Sequence, residues 1–276
     1  MELLLLQALV LGVVEGLTEF LPVSSTGHLI LAGEALGFGA DDLGKAFEVF
    51  IQLGAILAVC WEYRARLAAV ARGLPADPEA RRFIGLLLVA FLPVAVVGLA
   101  AADLIKGYLF RPLPVALAFV AGGLVILWVE RRQRARPPRI HTVDGVTWRE
   151  ALWVGLAQVL ALVPGTSRSG ATIVGGMLAG LSRRAATEFS FFLAIPVMLA
   201  ASGHELLTHW GDLDRSYGAA FAVGFVAAFG SAFLATRALL RFVSRHTLAP
   251  FAWYRIGFGL LLILWYRDQL LQGWGG

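Results

Sequence analysis

Residues 15–28 read Glu-Gly-Leu-Thr-Glu-Phe-Leu-Pro-Val-Ser-Ser-Thr-Gly-His, and apolar segments flank this stretch on both sides. Two carboxylates, two Ser, a Thr and a His therefore lie inside a hydrophobic region. Polar groups at membrane depth are costly and usually mark a functional site. Pro22 and Gly27 also interrupt the helical pattern here. We therefore expect a broken helix that carries a polar cluster.

The composition identifies the kind of protein that surrounds this stretch. The chain is 58% hydrophobic and only 15% charged, with a mean hydropathy of +0.75, whereas soluble domains carry about 25% charged residues. An integral membrane protein is indicated. The net charge of +4 comes mainly from Arg clusters near the ends of apolar segments, which is typical of membrane topology signals and not of a nucleic-acid-binding surface. The lone Cys60 excludes an internal disulfide and disfavours a Cys-based metal site.

The apolar segments predict about six transmembrane helices and two re-entrant hairpins. A crossing needs about 20 mostly apolar residues, and the candidate crossings are 46–61, 83–102, 112–129, 185–202, 217–236 and 250–266. Two further regions, 3–36 and 148–181, are apolar but have a polar break in the middle. Each suits two short helices joined by a tight loop, which is tolerated at membrane depth only where protein or a wet cavity surrounds it.

The two broken regions resemble each other. Residues 12–15 (Gly-Val-Val-Glu) match 155–158 (Gly-Leu-Ala-Gln), and 22–25 (Pro-Val-Ser-Ser) match 164–167 (Pro-Gly-Thr-Ser). Such similarity indicates an internal repeat with its site between broken helices.

Charge bias gives the orientation of the two halves. The Arg-rich segments 63–82 and 131–149 both belong on the cytoplasmic side, so the two hairpins enter from opposite sides and meet within the membrane. We predict an all-α, single membrane domain (1–276) with an inverted-topology repeat. Repeat 1 covers about 1–130, repeat 2 about 148–276, and a basic cytoplasmic loop, 131–147, joins them.

Glu15 and Glu19 are four residues apart and share one helix face. Close carboxylates in an apolar site hold a cation, share a proton or face an Arg; the alternative is a hydrated surface pair. The hydroxyls of Ser24, Ser25 and Thr26 either cap the next helix or include a nucleophile beside an anion site. Either Glu19 or a nearby His would serve as its base.

That nearby His is His28, a candidate for proton transfer near neutral pH or a hydrogen-bonded structural group. Arg168, flanked by Ser167 and Ser169, lies at the tip of the second hairpin. An Arg there needs an anion, so it binds phosphate or pairs with one of the Glu residues across the repeat interface. Thr172 would add a phosphate donor, and the other hydroxyls expected to bind phosphate are those of Ser24, Thr26, Ser167 and Ser169.

Three further polar residues, Glu48, Gln52 and Glu188, are expected to be structural. Glu48 and Glu188 occupy matching places in the two halves. We expect them to fix the broken helices by accepting their amides.

The stretches 15–28 and 164–172 closely resemble the two signature motifs of the undecaprenyl-diphosphate phosphatase family, also called the bacitracin-resistance family. The likeness extends to 47–54 and 253–255, so it covers nearly the whole chain. In the family pattern Glu15 and Glu19 match the acidic pair, and Ser25 the proposed nucleophile. His28 matches the essential His and Arg168 the phosphate-binding Arg.

The resemblance implies a hydrolase of the bacterial inner membrane that converts undecaprenyl diphosphate into undecaprenyl phosphate, the lipid carrier for cell-wall precursors. It also implies a divalent cation, Mg²⁺ or Ca²⁺, held by the acidic pair, and a site open to the extracytoplasmic side. Membrane lipid and the substrate are the expected partners, nucleic acid is not, and a homodimer is left open. The alternative is a polyprenyl-phosphate transporter, because inverted repeats and midplane charges are also transporter features.

Overall fold

The computed structural model describes residues 2–38, 42–109, 111–208 and 217–267. Within these ranges the chain is helical, and its only extended pairing is an isolated bridge between Ile140 and Leu181. The helices are α1 Glu2–Thr18, α2 Ser25–Leu36, α3 Asp42–Glu62, α4 Arg64–Gly73, α5 Pro78–Tyr108, α6 Pro112–Ala135, α7 Trp148–Val159, α8 Arg168–Ala179, α9 Arg183–Thr208, α10 Gly218–Val243 and α11 Ala249–Trp265.

Four of these helices, α5, α6, α9 and α10, are long and apolar enough to cross a bilayer. A fifth crossing is available if the bent pair of α3 and α4, which meet at 76°, is taken as one span; α11 is apolar but shorter. The prediction of a multi-pass membrane protein is confirmed; about six crossings were predicted, and the described residues contain four or five candidate spans. Large apolar side chains on the outer face, such as Leu99 (80% exposed) and Val226 (67% exposed), suit contact with lipid.

Both predicted helix breaks are present. α1 ends at Thr18 and α2 begins at Ser25. α7 ends at Val159, a single 3-10 turn follows, and α8 begins at Arg168. The second break ends earlier than the polar stretch itself, because Ser169 and Gly170 already belong to the first turn of α8.

Each broken pair packs against a long helix from the other half of the chain: α1 lies along α10, and α7 lies along α5. The approach is close enough to require glycine. A Cβ on Gly16 would lie 2.4 Å from the carbonyl oxygen of Ala228, and one on Gly155 would lie 2.5 Å from that of Ala90. The two halves are therefore interlocked, and the loops between the paired helices are brought into the protein interior.

Two segments that were expected to be basic loops are partly helical. α4 occupies much of 63–82, and α6 continues to Ala135. The end of α6 is anchored by Glu130, which accepts hydrogen bonds from Arg183 Nε (2.8 Å) and from the backbone N–H of Leu248 (2.7 Å). This buried carboxylate joins the ends of three helices, α6, α9 and α11.

Candidate active site between the two loops

The two loops share an uncommon backbone conformation. Ser24 and Ser167, each immediately before a short helix, have φ values of 68° and 73°, and they are the non-glycine residues with positive φ in the described ranges. Such a conformation costs of the order of 1–3 kcal/mol and persists only where the surroundings hold it. It turns the chain so that both short helices begin near the same point.

The predicted meeting of acid, hydroxyl and guanidinium is confirmed. Glu19 Oε2 accepts a hydrogen bond of 2.5 Å from Ser25 Oγ, and its Oε1 accepts one of 3.2 Å from Arg168 Nη2. Glu19 and the Arg168 side chain are only 8% and 12% exposed. Because water is largely excluded, the charges interact strongly. Ser25 thus has a carboxylate placed to accept its proton.

Arg168 is held in place without being fully satisfied. Nη1 donates to the backbone carbonyl of Ser190 at 3.1 Å, and the guanidinium lies 5.5 Å from the ring centroid of Phe20. Its Nε is buried without a partner. A buried unsatisfied donor is costly, so this N–H is suited to an incoming anion.

The hydroxyls of the second loop are engaged inside the protein. Ser167 caps α8 by accepting from the N–H of Gly170 at 3.1 Å. Ser169 donates to the carbonyl of Leu21 at 2.7 Å and thereby joins the two loops. Thr172 contacts Ser190 Oγ at 2.6 Å. Loop–loop and helix–helix bonds thus occupy Ser169 and Thr172 in the structure, and their expected contact with a phosphate stays a prediction.

The first loop differs from the second in its capping. Ser24 makes no side-chain capping bond to α2, so the capping interpretation is wrong for Ser24, whereas Ser167, for which no cap was predicted, caps α8. Thr26 is half-buried in the first turn of α2. Both hydroxyls remain candidates for substrate contact.

His28 faces away from the acid. Its Nδ1 lies 2.7 Å from the carbonyl oxygen of Ser24 and must therefore be the protonated nitrogen. Its Nε2 lies 2.6 Å from the hydroxyl of Tyr254 on α11. The ring stacks on Phe258, with centroids 4.3 Å apart. Of the two bases considered from sequence, Glu19 contacts Ser25 and His28 supports the backbone before it.

Glu15 is the other carboxylate of the acidic pair. It is 1% exposed, and neither of its oxygens has a hydrogen-bond partner. Gln158, its counterpart by sequence in the second broken region, is also fully buried, with both amide atoms unpartnered. A buried carboxylate without a partner needs a proton or a cation.

A divalent cation fits part of this site. In the described ranges no group of three His, Cys, Asp or Glu side chains could hold a metal alone. Mg²⁺ is, however, commonly held by one or two carboxylates together with substrate phosphates. The free oxygens of Glu15 meet that requirement, whereas both oxygens of Glu19 are already engaged.

Among the described residues, none of the three side chains that were expected to be structural accepts a hydrogen bond from a loop amide, which was the role expected of Glu48 and Glu188. Gln52 accepts from Ser202 Oγ at 3.1 Å and joins α3 to α9. Glu188 pairs with Arg184, one turn earlier on the same helix, at 3.0 Å. For Glu48 the described residues provide no bond to a loop amide. The expectation was wrong for Glu188, because the preceding turn supplies a cation.

Sequence reasoning missed Arg255 as a member of this region. It is 1% exposed, and its guanidinium donates to backbone carbonyls of both loops, including Pro22 at 3.2 Å and Thr166 at 2.8 Å. The available signal was an Arg within the otherwise apolar α11, the same signal that identified Arg168.

Taken together, the fold and the site define a multi-pass helical membrane protein. A buried carboxylate, a hydroxyl and a guanidinium lie together where the two broken helices meet. Such a group suits the binding and reaction of an anion within a membrane. The chain belongs to the family described as bacitracin resistance protein BacA, whose sequence model matches residues 8–261.

Relatives with established names cover nearly the same length. A protein of Nitrosospira multiformis named undecaprenyl-diphosphatase is 57% identical over 99% of this chain and 98% of its own length. One from Methylococcus capsulatus with the same name is 60% identical over 94% of this chain and 93% of its own. One from Laribacter hongkongensis, named likewise, is 58% identical over 95% and 94%.

Proposed function

We propose that this chain is an undecaprenyl-diphosphate phosphatase. It hydrolyses undecaprenyl diphosphate to undecaprenyl phosphate and inorganic phosphate in the bacterial inner membrane, returns the lipid carrier to cell-wall synthesis and thereby confers bacitracin resistance. The observation that carries this proposal is the pair of hydrogen bonds that Glu19 accepts from Ser25 and Arg168. The names of the relatives supply the substrate.

The chemistry follows from these contacts. Ser25 Oγ attacks the terminal phosphorus, its proton passes to Glu19, and the bond from that phosphorus to the bridging oxygen breaks, so that undecaprenyl phosphate leaves. Water then attacks the phosphoserine and releases phosphate. Negative charge spreads over the phosphoryl oxygens in such transition states, and Arg168 stabilises it there, with its free Nε as one donor.

Glu15, beside Glu19, would hold the divalent cation, Mg²⁺ or Ca²⁺. When bound, the ion supplies positive charge to the phosphate oxygens. The carboxylate of Glu15 adds its negative charge to that of the diphosphate. Arg168 alone does not balance this combined negative charge. Hard cations prefer such oxygen ligands.

The two halves form an inverted-topology repeat with two re-entrant hairpins, and the site opens to the extracytoplasmic side. The matched backbone conformations of Ser24 and Ser167 and the two unpartnered side chains of Glu15 and Gln158 support the repeat. The Arg clusters support the orientation.

The prenyl tail lies in an apolar groove between α6 and the α7–α8 pair. A cavity of about 690 Å³ is present there, lined on α6 by Leu117 and Ala121 and on α7 by Leu156. It ends at Thr166 and Gly170, which flank the loop residues around Arg168. A hydrocarbon chain seated here therefore reaches the site from within the bilayer.

The test is release of inorganic phosphate from undecaprenyl diphosphate by the purified protein. We expect turnover by the wild type and its loss in Ser25→Ala and Arg168→Ala. Movement of polyprenyl phosphate across vesicles without phosphate release would favour the transporter alternative and contradict the phosphatase.

A further inference from the structure

Arg255 is a buried side chain whose guanidinium donates five hydrogen bonds to backbone carbonyl oxygens. Nη1 donates to the carbonyls of Thr166 (2.8 Å) and Pro22 (3.2 Å), and Nη2 donates to those of Gly165 (2.9 Å) and Ala118 (3.0 Å). Nε donates to Phe119 at 3.4 Å. A guanidinium has five N–H donors, and all of them are engaged with backbone oxygens.

These five carbonyls come from three separate segments. Pro22 belongs to the first loop, Gly165 and Thr166 to the second, and the remaining two to α6. Loop carbonyls buried away from water have no helical donor, and an unsatisfied buried carbonyl is costly. Arg255 satisfies three of them at once and ties the loops to one another.

Neighbouring residues lie close to this guanidinium on the sides that face away from the cavity, which Arg255, Gly122 and Gly170 also border. A Cβ on Gly122 would lie 2.1 Å from Nη2, and one on Gly170 would lie 3.2 Å from Nη1. The ring of Phe119 covers the group, with its centroid 5.4 Å from Cζ. The position of the guanidinium is therefore fixed from several sides.

The tied loops carry the reacting groups. Ser25 follows Pro22 by three residues, and Arg168 follows Thr166 by two. The distance from Ser25 to Arg168 consequently depends on where the two loop backbones are held. Two further bonds cross this interface: Ser169 donates to the carbonyl of Leu21, and Arg168 donates to Glu19.

We propose that Arg255 is a positioning residue for the phosphatase reaction: it holds the Ser25 loop and the Arg168 loop in register without binding the phosphate groups. This inference rests on the proposed function for its kinetic part. Since no N–H of Arg255 is free, the residue does not serve as a second phosphate ligand.

The experiment compares three variants in lipid nanodiscs. Arg255→Lys keeps the charge but has three donors and no planar fork, so it cannot reach the same carbonyls. Gly122→Ala leaves residue 255 as Arg, but the added methyl group displaces the guanidinium. Gly257→Ala, on α11 where nothing lies within 4 Å of the added Cβ, is the matched control.

Two readouts separate positioning from mere stability. Misplacement by about 1 Å can cost about 10²-fold in rate, so we expect kcat per folded molecule to fall by about that factor in Arg255→Lys and Gly122→Ala. Hydrogen–deuterium exchange of the two loops, 19–24 and 163–167, should become faster in both variants. The Gly257→Ala control should match the wild type in both readouts.

The double variant gives an internal check. Both changes break the same contacts, so Gly122→Ala with Arg255→Lys should lose no more kcat than the worse single variant. Wild-type kcat, or wild-type exchange in the loops, in a folded Arg255→Lys or Gly122→Ala protein would overturn the proposal. If the wild type itself releases no phosphate, the phosphatase assignment fails, and the exchange experiment still decides whether Arg255 holds the loops.

Discussion

The sharpest prediction concerns replacement of Glu19 by Gln. The amide has nearly the shape of the carboxylate, so it can still accept from Arg168 and contact Ser25. What is lost is the charge. Charge-assisted hydrogen bonds are about twice as strong as neutral ones, and neutral ones contribute about 1 kcal/mol each. With two such bonds, Glu19→Gln should destabilise the fold by about 2 kcal/mol.

The same change should be far more damaging to turnover. An amide nitrogen donates to Ser25 Oγ instead of accepting its proton, so the nucleophile has no base. General-base catalysis contributes about 10²–10⁴-fold, and kcat should fall within that range.

Glu15→Gln is the matched control for stability. Glu15 is at least as buried as Glu19, but neither of its oxygens has a partner. Replacing this carboxylate removes a charge whose burial is unfavourable, so the stability of Glu15→Gln should equal or exceed that of the wild type. The activity of Glu15→Gln should fall if Glu15 holds the cation.

Thermal unfolding of purified protein in detergent, followed beside phosphate release, measures both effects. If Glu19→Gln is as stable as the wild type, the charge of Glu19 does not strengthen its two hydrogen bonds, and the account above is contradicted. It is refuted equally if Glu15→Gln loses as much stability as Glu19→Gln.

Four further predictions follow from single contacts. Asn at position 28 keeps an N–H near the place of Nδ1, so His28→Asn should stay within about tenfold of wild-type kcat, less than the loss of a general base; a larger loss would return the base role to His28. Filling the groove with Ala121→Trp should raise the KM for long-chain prenyl diphosphates and spare short ones, and Leu124→Trp on the same helix but outside the groove is its control. Gly16→Ala should destabilise the α1–α10 contact by about 1–3 kcal/mol, because its Cβ would meet the carbonyl of Ala228, whereas Gly230→Ala, with open space, should not. At the start of α7, burial raises the pKa of Glu150, but hydrogen bonds from Thr147 outweigh it and hold that pKa below the ordinary 4.5. Thr147→Ala should therefore cost about 1 kcal/mol at neutral pH, and the difference from the wild type should shrink as the pH falls below 4.5 through the folded-state pKa of Glu150; a difference that grows in acid would contradict this.

Much of the site could be predicted because burial makes polar residues conspicuous. Arg168 needs an anion at membrane depth, and that requirement predicted either a phosphate or a pair with one of the two Glu residues; the structure shows that the partner is Glu19. The helix breaks were predicted from Pro22 and Pro164 together with the polar residues that follow them, since proline removes a backbone hydrogen bond; Pro93 and Pro196, in apolar segments, lie inside helices.

The individual hydroxyl partners could not be predicted. A sequence shows that Ser167, Ser169 and Thr172 cluster, but their bonds depend on which backbone oxygens the folded chain brings near. In the structure Ser169 donates a hydrogen bond to Leu21 across the loop interface, and Thr172 shares one with Ser190. For the same reason the role of His28 was left open between proton transfer and structural support, and only the structure shows its Nε2 beside Tyr254, 226 residues away.

Arg255 shows where the sequence argument stopped short. The rule that selected Arg168 applies to it equally, but its partners are neutral carbonyls and not an acid. No charge complement in the sequence indicated them, and only the packing of α11 against α6 makes them visible.

The central claim is that Ser25, with Glu19 as its base, forms a covalent bond to the terminal phosphorus of the substrate. The most direct measurement is the stereochemical course at that phosphorus, with a substrate whose terminal group is a chiral, isotopically labelled thiophosphate. Two successive in-line displacements, first by Ser25 and then by water, predict retention of configuration. Inversion would mean that water attacks directly, and the role assigned to Ser25 would be wrong.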